Sequence, residues 1–355
     1  MKEIKVGFAG VGSNTSATMQ MIALAQNTVG YLAGIKYNQI GPYEVSNLKV
    51  SCAFDVDTNK VGKDISDAIF SYPNACEKFV DVSHTGVEVV AGPLLDGLDG
   101  DLSERIIPVE EAKEVSIDDV TLILRETKTD VLVCNLPTGA TKAVQAYAMA
   151  ALQAGVAFVN GTPESVSRNK EIEELFRKSG VPLLGDDLRS HLGATTLHMA
   201  LIELMQSRGI KITDTYQLNV GGNMDFLNLA SPGRCKSKQI SKKNALYASG
   251  IDASRVTAGP NGFVEYLKDT KVCYLHIEGN NILNSKISLE MKLEVQDSPN
   301  AAGVIVNAIR CAKLARDKQL AGSIDEVCPY LFKSPRIGKT ESEGLRAFAE
   351  FVSEK

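Results

Sequence analysis

Two sets of residues have the types and spacing to do chemistry. The first is Val6-Gly7-Phe8-Ala9-Gly10-Val11-Gly12, a glycine turn that closes a short apolar run. There Gly10 can make a tight turn, and Gly12 lets the backbone approach a pyrophosphate at a helix N-terminus. The third glycine of the dinucleotide fingerprint is missing. Thr15 stands in its place, and Ser13, Asn14 and Ser16 offer hydroxyl or amide contacts instead. A second strand ends in Asp55, whose carboxylate suits both ribose hydroxyls and rejects a 2′-phosphate, which favours NAD over NADP. Asp55 lies about twice as far from Gly12 as the ~20 residues usual for this motif, so 27–47 is expected to be an insertion. The plainer alternative is a glycine turn closing an ordinary βα unit. The second set is Lys238 and Lys242, spaced i,i+4. On a helix they share a face, and their repulsion would lower at least one pKa toward the range useful for proton transfer. A lone lysine is most often a solvated surface charge.

The elements that must hold these residues follow from hydrophobic periodicity. Ile4–Val11, Leu48–Val56 and Asp130–Leu136 read as strands, the last stopped by Pro137-Thr138-Gly139. Ser16–Gln26 reads as a helix, and Val61, Ile65, Ala68 and Ile69 share one helical face. The series continues with a helix over 140–154, a strand over 156–160, a helix over 168–179 and a strand over 181–185. Such alternation predicts an α/β fold with a doubly wound parallel sheet. After about residue 195 strands dominate: Thr215–Val220, Val272–Glu278 and Ile287–Val295. In the last, Ile287, Leu289, Met291, Leu293 and Val295 alternate with polar residues, the pattern of a sheet covered on one side. Pro299 then opens a helix running to about Asp317. The expected organisation is a Rossmann-type domain from 1–195 and 297–355 around an inserted α+β domain, 196–296. The glycine-rich stretch 84–104 is expected to be a long surface loop.

Composition bounds the rest. The chain has 355 residues, 44% hydrophobic and 23% charged, which excludes disorder and allows about two domains. No apolar stretch reaches the ~18 residues of a membrane span, and the N-terminus lacks the form of a signal peptide. A net charge of −5 argues against nucleic acid as a partner. Seven scattered cysteines without a CxxC pair read as reduced thiols, which suggests a cytoplasmic protein. Four scattered histidines offer no metal cage. His191 and His198 lack a carboxylate partner at ligand spacing and are expected to be ordinary helix-face residues.

Nine blocks together resemble one family, the myo-inositol-1-phosphate synthases in their shorter prokaryotic form. They are AFDVDTNKVGKDISDAIF (53–70), GPLLDGL (92–98), DVLVCNLPTG (130–139), AGVAFVNGTP (154–163), GDDLRSHLGAT (185–195), TYQLNVGGNMDFLNL (215–229), SKQISKKNAL (237–246), LEMKLEVQDSPNAAGV (289–304) and PYLFKSP (329–335). They keep the family order over nearly the whole chain. The resemblance implies a Rossmann domain with an insertion that builds the active site and a homotetramer. It implies NAD-dependent isomerisation of D-glucose 6-phosphate to an inositol monophosphate, through C5 oxidation, enolisation, aldol cyclisation and re-reduction. A cyclase for another sugar phosphate would keep the same blocks, and an ordinary sugar-phosphate dehydrogenase is the alternative reaction.

The resemblance also implies site residues. Lys238, Lys242, Lys271 and Lys333 fall at family lysine positions, suited to stabilising oxyanions and moving protons. Glu290 stands where longer members carry Asp and would orient a lysine. Asp187 would lie near the nicotinamide amide, and Pro137 beside the cofactor with Gly10, Gly12, Ser13, Asn14, Thr15 and Asp55. Asn223 and Asp225 would contact substrate hydroxyls. A divalent or monovalent cation held by phosphates is compatible with this set, with no protein metal site. Two departures stand out. Arg189 replaces a common lysine, keeping charge without ready proton donation; 229–236 is less charged than usual.

Overall fold

A computed structural model of the chain describes residues 3–230, 232–251 and 255–353; within the helix over 232–247, the side chains of 232, 233 and 235–238 fall outside the description. Ile4–Ala9 (β1) runs through the glycine turn into Ser13–Asn27 (α1). Leu48–Asp55 (β2) and Val89–Ala91 (β3) follow, then Ile117–Glu126 (α2), Val131–Cys134 (β4), Thr141–Ala154 (α3), Ala157–Asn160 (β5), Lys170–Lys178 (α4) and Pro182–Leu184 (β6). With Gly322–Ser323 (β11) they form a seven-stranded sheet in the order β11-β6-β5-β4-β1-β2-β3, every pair parallel. The chain leaves β1 for one half of the sheet and crosses back to β4 for the other. That switch point is where doubly wound folds bind ligands.

Ala194–Ser207 (α5) leads into a second sheet: Lys211–Gly221 (β7), Val256–Phe263 (β8), Thr270–Asn280 (β9) and Lys286–Gln296 (β10), in the order β8-β7-β9-β10. Between β7 and β8 lie Met224–Leu229 (α6) and Pro232–Tyr247 (α7). Asp297–Asp317 (α8) then returns and packs its buried stripe of Ala301, Val304, Ile305, Ala308 and Ala312 in the core of the parallel sheet with Ile4, Val6 and Val133. Glu341–Ser353 (α9) closes the described chain.

Two expectations change. The helix through Val61–Ile69 is only the turn Ile65–Ala68, because Gly62 in the left-handed region (φ +83°) breaks the pattern. The stretch 84–104 is not a plain loop: it contains β3 and a 3₁₀ turn, Gly100–Glu104. The insertion 27–47 contains a short hairpin, Gln39–Ile40 with Tyr43–Glu44, and the buried Arg310 of α8 donates to the carbonyls of Tyr37 and Asn38 at 3.0 and 2.9 Å. The apolar face of the second sheet is covered as the alternation predicts. Met199 and Ile202 of α5 and Ala245 and Leu246 of α7 pack on Val256, Cys273, Leu275 and Ile277, with Leu289, Met291 and Leu293 against the same cluster.

Candidate active site

The glycine turn is built as its sequence requires. Gly10 adopts φ +92°, and a Cβ there would sit 2.9 Å from the carbonyl oxygen of Asn135 at the end of β4. Only glycine meets both demands without strain. Gly12 caps α1 with no side-chain acceptor, and nothing lies within 4 Å of where its Cβ would be. The first N–H groups of α1 therefore face open space at the positive end of the helix. Gly10, Gly12, Ser13, Asn14, Asp55 and Pro137 all line a cleft of about 220 Å³ above this end of the sheet.

Asp55 does more than edge that cleft. Its Oδ2 accepts the Val11 N–H at 2.7 Å, its Oδ1 accepts the N–H groups of Val56 and Asp57 at 2.8 and 3.1 Å, and the buried Lys60 ammonium lies 3.8 Å away. The carboxylate thus braces the glycine turn from the neighbouring strand. Thr15 corrects its expected role. It is fully buried, its hydroxyl donates to Gly10 O at 2.7 Å, and it does not line the cleft. It supports the turn from beneath because its side chain points back into the fold.

A smaller chamber of about 80 Å³ adjoins the cleft, and Asn14, Gly161, Asp225 and Asp297 line both. Into it come Lys242 from α7, Lys271 from β9, Lys333 from the returning tail and Asp187 from the end of β6. Lys333 Nζ sits 3.1 Å from Asp187 Oδ1, and the Ser241 hydroxyl donates to the other oxygen of Asp187. Asp187 itself adopts φ +63°, a left-handed conformation uncommon outside glycine. Lys238 lies on α7, four residues before Lys242 on one face, and its side chain is outside the described residues. One wall of the chamber is the start of α5, Gly193 to Thr196, another uncapped helix N-terminus.

The chamber also borders a pair of carboxylates, Asp269 and Asp297, that sequence reasoning missed. Lys271 Nζ lies 2.5 Å from Asp297 Oδ1, and the Asn223 amide donates to Asp297 at 3.2 Å and Asp269 at 3.4 Å. Ser298 donates to Asp269 through its N–H at 3.0 Å and its hydroxyl at 2.8 Å. Burial, and then the charge of Asp297, push the Asp269 carboxyl up to about 6. Burial also acts to raise Asp297, but the charge and hydrogen bond of Lys271 outweigh it and hold that carboxyl below its usual range. The signal was present: Asp269 stands two residues before Lys271, and Asp297 lies where the alternating strand gives way to a helix.

The remaining residues divide plainly. Asn223 lines the cleft, and Asp225 accepts the Thr138 hydroxyl at 3.2 Å between cleft and chamber. Glu290 is corrected: it is largely exposed on the outer face of β10, 3.4 Å from His276, and lines neither cavity. Along a strand successive side chains take opposite faces, and Glu290 falls on the face away from the α5–α7 core. Arg189 turns away as well, donating to Pro329 O at 3.1 Å and pairing with Glu341. His198 is a buried helix residue whose Nε2 lies 2.6 Å from the Thr215 hydroxyl; burial, then the Lys242 charge, lower its pKa to about 3.

Comparison with known proteins gives a consistent picture. Residues 193–298 match the family model of myo-inositol-1-phosphate synthase. The inositol-3-phosphate synthase of Mycolicibacterium smegmatis is 41% identical, over 94% of this chain and 93% of that one. The crystal structure of Ari2 is 40% identical and covers 99% of both chains with a TM-score of 0.79. A myo-inositol-1-phosphate synthase-related protein from Thermotoga maritima, 22% identical, shares the fold over 99% of both chains with a TM-score of 0.86.

Proposed function

The chain belongs to the myo-inositol-1-phosphate synthase family and is an enzyme of that type, and on that premise we propose that it converts D-glucose 6-phosphate to 1D-myo-inositol 3-phosphate with NAD as a resident cofactor. The observation that carries the reading is the shared wall of the two cavities: a cleft with dinucleotide features opens onto a small chamber holding three lysines. The residues fit NAD. The space over Gly12 and the uncapped start of α1 suit a pyrophosphate, and Asp55 at the end of β2 suits a ribose without a 2′-phosphate. When bound, NAD would take a hydride from C5 of the sugar and later return it.

The chain's own groups would do the rest. The start of α5 with Lys333 and Lys242 suits the substrate phosphate. Lys271 and its partner Asp297 face the same chamber and suit stabilising the oxyanion that develops at the oxidised carbon. Enolisation at C6 makes that carbon the nucleophile, and its attack on the C1 aldehyde closes the ring. Preorganised cations of this kind supply much of the catalysis where water is excluded from the reacting atoms. Asn223 and Asp225 suit sugar hydroxyls. In this reading 1–195 with 297–355 is the cofactor-binding unit and 196–296 the catalytic and associating one.

The test is the product formed from glucose 6-phosphate, identified by NMR, with absorbance followed at 340 nm. Inositol phosphate without accumulating NADH supports the proposal; stoichiometric NADH points to a dehydrogenase, and a different carbocycle from another sugar phosphate to a sister cyclase. We also propose a homotetramer, on family membership alone, since α5 and α7 cover the apolar face of the second sheet. Light scattering should give about four times 38.2 kDa, and a monomer would refute it.

A further inference from the structure

Behind Lys333 lies another cavity, of about 460 Å³, that the proposed reaction leaves unused. Four of its described lining side chains are charged, Arg168, Arg189, Lys333 and Lys339, and all four are cations. The carboxylates that balance three of them stand outside the lining: Asp186 is fully buried 3.3 Å from Arg168, Asp187 lies 3.1 Å from Lys333, and Glu341 pairs with Arg189. Lys339 makes no ion pair among the described residues, and the Nε–H of Arg189, a residue only 3% exposed, has no hydrogen-bond partner among them. A buried donor on a charged group left without an acceptor is costly. Lys333 is the one described residue that lines both this cavity and the substrate chamber. The wall between them is thin: the N–H groups of Lys333 and Ser334 donate to the carbonyls of Asp187 and Asp186 at 2.7 and 3.0 Å.

We propose that this cavity binds a small, multiply charged oxyanion of the phosphate class, held by Arg168, Arg189 and Lys339, and that its presence slows turnover by drawing on Lys333 from the side opposite the substrate. Guanidinium groups suit tetrahedral oxyanions because they offer paired donors. An anion here competes with Asp187 and the substrate phosphate for one ammonium. The effect rests on reading Lys333 as a cation of the substrate chamber; the binding does not.

Inorganic phosphate is the probe, titrated calorimetrically at constant ionic strength with the substrate chamber filled by non-cyclising glucitol 6-phosphate. The intact protein should still bind one phosphate per chain, and Lys339→Glu should weaken that binding roughly tenfold or more, one decade per 1.4 kcal/mol. Without phosphate, Lys339→Glu should turn over glucose 6-phosphate normally, and it should lose only the non-competitive part of phosphate inhibition. A cavity-filling Ala248→Trp should do the same. Purely competitive inhibition, no binding beside the analogue, or equal binding by both variants would overturn the proposal. Phosphate binding that depends on Lys339 in a protein lacking synthase activity would keep the site and refute the reaction instead.

Discussion

The cleft proposed for the cofactor and the lysine chamber share a wall but are made differently. The cleft is mostly backbone and apolar surface: a glycine turn, the open end of α1, and side chains such as Leu94, Leu98, Pro137 and Tyr147. The chamber packs Asp187, Asp225, Lys242, Lys271, Asp297 and Lys333 around about 80 Å³. A region that recognises by shape tolerates partial loss, since more ligand can restore occupancy. Where opposed charges are buried together, removal of one strands its partner, and no added ligand replaces it.

Lys271→Ala should break the chamber and spare the cleft. It leaves Asp297 without its cation beside Asp269, and turnover should fall by about 10²–10³ while NAD still copurifies. Wild-type turnover would show that Lys271 is not part of the chemistry. Gly10→Ala should do the converse. The new Cβ meets Asn135 O at 2.9 Å on a backbone with φ +92°, a strain of about 1–3 kcal/mol. NAD affinity should drop roughly tenfold or more, and excess cofactor should restore activity; a loss that excess NAD cannot rescue would make the turn more than a cofactor cradle.

Asp269 offers a subtler contrast through pH. Its folded value of about 6, against 3.8 in the unfolded chain, means the folded protein retains a proton that the unfolded one releases. Stability from this group is therefore fully present below about pH 4 and is lost as pH rises through 6, by about 3 kcal/mol. Urea midpoints at pH 4.5 and 7 should show that slope flattened in Asp269→Asn; an unchanged slope would assign it to other groups. The smallest effect belongs to Glu290→Gln, exposed on the outer face of β10, where turnover should change less than about twofold, as for surface sites generally. A large loss would restore it to the chemistry.

How much could be read in advance follows the same division. The turn at Gly10, the strands flanking it and Asp55 are local patterns, and they stand where periodicity puts them. β3 was missed because three residues among glycines leave almost no period to detect. Glu290 was misassigned because alternation reveals that a strand has two faces, not which one meets the catalytic groups. Asp269 and Asp297 were missed because their meaning depends on Lys271 and Asn223, brought together only when β9 and α8 meet at Asp297 N–H and Asp269 O, 2.9 Å apart. Thr15 was read as a ligand because its sequence position gives no hint that its hydroxyl turns inward. For Glu290, Asp269 and Asp297 the missing information was long-range packing.

The dispersal of the chamber has a consequence for biosynthesis. Its lining begins at Asn14 and is completed only by Lys333. At about 5–20 residues per second, a ribosome spends on the order of tens of seconds between those two residues. In the later part of that interval the strands around Gly10, Asp55 and Asn135 have already been made, while the lysine of the returning tail has not. A growing polypeptide that has not reached Lys333 therefore lacks one wall of the chamber, and Asp187 waits without the ammonium that pairs with it in the folded chain.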